Sequence, residues 1–227
     1  MNKKENSFVY RRIVFASLCI GITLSFKYTS FIKFLLSYYT TQSNLVCLIA
    51  YFFFIIGDIT GYNYQRKKWY PHLKGAISIS IFLTFIIYLS TLLPNDFPMY
   101  AVSYTSQDIG KKFANFLVHG LSPLLVIGDY VFDEKGRLKK YDPFLWLVFP
   151  FLYLIFVYSG KGYFYAIGGS RKYAYFFLDY EQIGIKAVII YIVGIAIGII
   201  VMGYIFIFLD RKLATKNKRK KLDKKNP

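Results

Sequence analysis

The chain has 227 residues, of which 56% are apolar, 21% aromatic and only 18% charged, and its 29 Lys and Arg against 12 Asp and Glu give a net charge of +17. Soluble domains average about 45–50% apolar and about 25% charged residues, so the balance excludes a cytosolic enzyme, a disordered chain, a collagen-like chain and a disulfide scaffold. Apolar excess and cationic excess coexist when apolar runs cross a bilayer and basic residues flank them. The class expected is an integral membrane protein, with no nucleic-acid partner.

A span needs about 20 predominantly apolar residues, and six segments meet that test: roughly 9–27, 43–64, 74–94, 112–132, 143–160 and 184–209. The first has basic residues ahead of it like a signal peptide, but Ser25-Phe26-Lys27-Tyr28 offers no small-x-small cleavage site, so it is read as a helix. The second opens on Tyr38-Tyr39-Thr40-Thr41-Gln42-Ser43-Asn44, a hydroxyl- and amide-rich cluster that reads first as a helix N-cap. In the fourth, Lys112, Asn115, His119 and Pro123 share one helix face, and Gly120 allows close approach beside the imidazole. Pro150 in the fifth marks a possible break, and Gly194 and Gly198 in the sixth form a helix-packing GxxxG.

Six spans put both termini on one side, and the basic residues divide with them. The terminus side holds 21 of the 29, counting Arg11, Arg12, Lys74 and the run from Arg211 onward, and the opposite side holds eight. The positive-inside rule then places both termini in the cytoplasm. The expected fold is all-α: one six-transmembrane-helix bundle over residues 1–210, followed by a polybasic tail over 211–227 that meets anionic lipid head groups.

Ionisable groups at membrane depth are costly, so each is a functional candidate. His119 lies about 10 Å along its helix from Lys112. A threonine hydroxyl needs an adjacent base to become a nucleophile, and imidazole is the usual one. Thr40 or Thr41 with His119 is therefore the candidate catalytic pair, set against the plainer readings of a helix cap and of a histidine that bonds a neighbouring helix. Asp58 and Asp129 read as structural partners of cytoplasmic Arg and Lys, with a proton relay as the sharper alternative. Cys19 and Cys47 read as small buried hydrophobes. Only His72 and His119 are available as histidines, and no phosphate loop, HExxH or CxxC occurs, so neither a metal nor another cofactor is expected.

Four pieces carry a family resemblance. They are Thr40-Thr41-Gln42-Ser43-Asn44-Leu45, His119-Gly-Leu-Ser-Pro123 with Asp129, Trp146-Leu-Val-Phe-Pro150-Phe-Leu-Tyr153, and Tyr173-Ala-Tyr175-Phe-Phe177-Leu178-Asp179. In order and spacing they resemble the bacterial six-span branch of the androgen-induced and androgen-dependent TFPI-regulating protein family. Animal members are intramembrane hydrolases of fatty acid esters of hydroxy fatty acids that use a threonine and a histidine. The resemblance implies that His119 is the catalytic histidine and that Thr41 or Thr40 is the nucleophile. Ungapped alignment through Asn44-Leu45-Val46 favours Thr41, whereas an aromatic residue before the threonine favours Thr40. Ala174 and Phe176 stand where the family usually has prolines.

The expected function is hydrolysis of a lipid ester near the outer leaflet. Asn44 or Asn115 would supply an oxyanion donor, Lys112 would hold a substrate carboxylate, and Asp108 and Asp179 are the candidates for a third catalytic member. The alternative is a non-catalytic lipid-binding or transport protein in which His119 lines a polar cavity. Abundant Ile, Lys, Asn, Phe and Tyr point to an AT-rich bacterial genome and hence to the cytoplasmic membrane.

Overall fold

A computed structural model describes residues 3–28, 35–89, 106–133, 135–160 and 172–223. The end of the third predicted span (90–94), Lys33, Lys161, Arg171 and the last four residues of the tail lie outside the described residues. The fold is all-helical: α1 (Lys3–Lys27), α2 (Tyr39–Thr60), α3 (Trp69–Ile87), α4 (Ser106–Phe116), α5 (Ser122–Asp129), α6 (Asp142–Leu145), α7 (Val148–Tyr158), α8 (Tyr180–Ile183) and α9 (Ile185–Asp223). Four described helices are long and apolar enough to cross a membrane, spanning Glu5–Lys27, Tyr39–Thr60, Trp69–Ile87 and Ile185–Thr215.

Each of the six apolar segments is helical over most of its described length, but two are interrupted. The fourth is continuous from α4 to α5 through a π-helical turn, Leu117–Leu121. The fifth is split at Trp146 and Leu147 into α6 and α7. Pro150 causes no break, because it falls in the first turn of α7, where a missing N–H has no helical acceptor to lose. The helix begins earlier than the predicted 43, so all of the polar cluster after Tyr38 lies inside its first turns. Tyr38 is the cap residue and its side chain makes no capping hydrogen bond, while Ser43 and Asn44 donate back to the Thr40 carbonyl inside the first turns. At the other end α2 stops on Gly61, whose φ of +74° terminates a helix at little steric cost.

Helix α1 runs antiparallel to α2 and to the fourth segment. Arg11 of α1 meets Asp58 near the end of α2, while Gly21 of α1 packs on Val118 and Leu117 in the π turn. Helix α3 is the centre of the packing. Ile77 and Ile81 face Leu18, Tyr51 and Val126 on one side, and Ile79 joins Trp146 and Ile199 on the other. Gly75 is the point of closest approach, where a Cβ would overlap the indole of buried Trp146. Large apolar side chains point outward instead of inward along much of the bundle, including Phe53, Ile190 and Phe208, each more than 60% exposed. That inside-out dressing suits a surface solvated by hydrocarbon rather than water.

Candidate functional site

The site is built on a defect in the fourth segment. Pro123 has no N–H, and its ring would clash with the carbonyl four residues earlier, so a regular α-helix cannot run through it unchanged. The backbone widens: the Ser122 N–H donates to the Leu117 carbonyl, five residues back, and the turn Leu117–Leu121 is π-helical. The carbonyl of Val118 then lacks a main-chain donor, because its five-residue partner is Pro123. Asn44 Nδ2 supplies the missing proton from α2, at 3.0 Å. The neighbouring turn is pinned to α1 by a 2.8 Å hydrogen bond between the Ser17 and Ser122 hydroxyls.

His119 sits in that turn. Its Nδ1 lies 3.1 Å from the Asn115 carbonyl, which can only accept, so Nδ1 carries the ring proton. Nε2 is left as the lone-pair nitrogen, the form that a general base requires. The ring stacks on Tyr88 of the segment ending α3, with centroids 5.7 Å apart and planes 23° apart. Gly120 is where a Cβ would press on the Phe116 ring at 3.3 Å, so the space beside the imidazole is filled by Phe116 and Tyr88.

The other candidates fall at graded distances from this turn. Asn44 is fully buried, and both of its amide protons are spent, one on Val118 O and one on Thr40 O at 2.9 Å, while Oδ1 has no partner. The amide thus clamps two backbones together and presents an acceptor, not the donor that an oxyanion needs. Thr40 is buried on the same helix face as Asn44, one turn earlier, and lies within electrostatic reach of the Tyr175 phenol. Burial pushes that phenol up to about 12, so it stays protonated. Thr41 is only half-buried, as are Lys112 and Asn115 on α4. Among the described hydrogen bonds, none joins either threonine hydroxyl to His119. Asp179 is committed elsewhere, accepting from Glu181 N and Gln182 N as the N-cap of α8, and Asp108 stands in the first turn of α4.

An almost wholly apolar cavity of about 190 Å³ opens against Tyr39, the residue before Thr40. Leu83 of α3, Phe151 of α7 and Ile195 of α9 line it together with Tyr39 and Tyr175. Tyr88 and Tyr175 had no assigned role in the sequence. Tyr175 falls within one of the resembling pieces, but nothing local marks Tyr88, whose contact with His119 joins separate helices. No protein-family model matches the chain, and no curated protein or solved structure matches it either.

Proposed function

We propose that this chain spans the cytoplasmic membrane six times with both termini inside, and that it hydrolyses lipid esters of the fatty acid ester of hydroxy fatty acid type. The observation that carries the reading is the Asn44–Val118 clamp, which holds the first turns of α2 against the turn presenting a lone-pair His119 Nε2. In this reading a threonine hydroxyl attacks the ester carbonyl while Nε2 takes its proton, and the imidazolium returns that proton to the leaving alkoxide. Water then hydrolyses the acyl-threonine by the same route in reverse. Thr40 is the favoured nucleophile because it is buried next to Tyr39, which lines the apolar cavity, and Thr41 is the alternative. The cavity would take part of an acyl chain, being somewhat larger than the engineered 150 Å³ void that holds benzene. Lys112 and Asn115 would contact the polar part of the substrate.

The topology in this reading rests on the division of basic residues, and it places the Thr40 and His119 end outward. Turnover of a fluorogenic lipid ester by the purified protein in lipid nanodiscs tests the chemistry. His119→Ala should reduce it about 10²–10⁴-fold, the usual contribution of a general base. Thr40→Ala should abolish it, and Thr41→Ala should leave most of it. Undiminished turnover in His119→Ala ends the proposal. A lipid-binding protein without catalysis is favoured by one observation, the lack of a described Thr–His hydrogen bond. It predicts tight binding of a fluorescent fatty acid with no turnover in any variant.

A further inference from the structure

At the opposite end of the bundle lies a buried network of charges drawn from four helical segments. Arg11 (α1) contacts Asp58 (α2) at 2.8 Å, Asp129 (α5) at 3.5 Å and Asp133 at 3.7 Å. Lys74 (α3) pairs with Asp129. Phenols complete the shell: Tyr51 donates to Asp129, Tyr70 to Asp133 and Tyr64 to Asp58, at 3.0, 2.7 and 3.0 Å. Tyr10 stands nearby on α1, within electrostatic reach of Asp129, and Tyr130, on the turn after α5, donates to the buried Asp210 of α9 at 2.6 Å and lies within electrostatic reach of Asp133. Arg137 and Lys135 direct their charged ends to backbone carbonyls, of Gln65 and Lys67 for the first and Tyr130 for the second.

Around Arg11 and Lys74 the formal charges do not balance. These two cations face the three carboxylates of Asp58, Asp129 and Asp133, and Arg11, Lys74 and Asp129 are at most 1% exposed. Two carboxylate oxygens, Asp129 Oδ1 and Asp133 Oδ2, are buried without a hydrogen-bond partner. An unpaired anion at such a place is expensive, and gaining a proton is the ordinary way to remove the cost. Asp129 is contacted by Lys74, Arg11 and Tyr51, whereas Asp133 has one phenol, the most distant Arg11 contact and the field of Lys74 without an ion pair to it. We propose that this cluster is a proton-binding site, with one exchangeable proton held on the Asp133 carboxyl at neutral pH. Burial also drives that carboxyl above the ordinary aspartate range. The protonated Oδ2 becomes a donor, and the cluster carries two charges of each sign.

This site is independent of the ester chemistry, so either can fail alone. The test is infrared spectroscopy of the whole chain in nanodiscs, titrated from acid to alkaline pH. A protonated-carboxyl C=O band should persist at neutral pH, shift in D2O and vanish in Asp133→Asn. Its absence from the wild-type protein at neutral pH, or its survival in Asp133→Asn, overturns the proposal. Tyr70→Phe keeps the assignment testable if Asp133→Asn does not fold. Loss of a donor to the charged form should move the titration midpoint upward, and an unmoved midpoint excludes Asp133 as the carrier.

Discussion

At the residue scale, two side chains have duties that their chemical type alone does not reveal. Asn44 satisfies a carbonyl that Pro123 leaves without a donor, so its removal strands a buried acceptor. Asn44→Ala should destabilise the protein by about 1–3 kcal/mol, read as a lower thermal midpoint in detergent. Turnover should fall with it, since the same contact positions the His119 turn. Asp133 has the opposite character, as a group whose charge the fold resists. A carboxyl raised by folding binds its proton more tightly in the native state than in the unfolded one. Its stabilisation is therefore complete below the ordinary aspartate range and is lost as pH rises through the folded midpoint. The thermal midpoint should decline over that interval in the wild-type protein, and Asp133→Asn should flatten the decline.

At the scale of elements, the π turn decides what the fourth segment can do. A regular helix from Ser106 to Asp129 would return the Val118 carbonyl to a main-chain donor and rotate His119 relative to Asn115. Pro123→Ala restores the N–H at that position and removes the ring clash. The variant should retain or gain stability, in the direction expected when a helix-breaking residue is removed, yet lose turnover. Thermal melting and the lipid-ester assay on the same sample separate the two effects. Helix α3 shows a related compromise. Gly75 lets the Trp146 indole lie directly on the backbone, and the indole Nε1 donates to the His72 carbonyl at 3.1 Å. That contact seats the short α6 and α7 against the long helices.

At the scale of the whole molecule, the apolar exterior and the two polar ends define an axis. The His119 end and the Arg11 end lie at opposite extremes of the same antiparallel helices, so a membrane around them would give each a different aqueous face. The proposed topology expects a cysteine placed at Lys111 to react with an impermeant maleimide in intact cells. One placed at Asn217 should react only after permeabilisation. The reverse pattern would put the catalytic candidates on the cytoplasmic side. Cys47 is buried and Cys19 half-buried, which keeps the background of this labelling low. Helix α9 runs unbroken to Asp223, about 58 Å of rise, and carries the first part of the basic tail as a continuation of the helix.

Hydropathy located each apolar segment because burial in lipid requires long runs of apolar residues, and such runs are a property of sequence alone. It also placed His119, Asn115 and Lys112 on one face, since helical periodicity is local. Asp58 and Asp129 were expected to pair with basic residues, and they do. Their partners, Arg11 and Lys74, were counted among the flanking charges of the membrane surface, whereas the structure buries both. Composition cannot distinguish a flanking cation from one folded inward, because the difference lies in helix rotation and in which carboxylates a neighbour presents. The same holds for the site. Thr40, Asn44 and His119 are visible as residue types, but their arrangement follows from a proton that Pro123 lacks and a distant asparagine supplies. The sequence by itself determined the apolar helices and the distribution of charge about them. Only the tertiary structure decided which polar groups meet between those helices, since a buried donor or acceptor must find its partner in three dimensions.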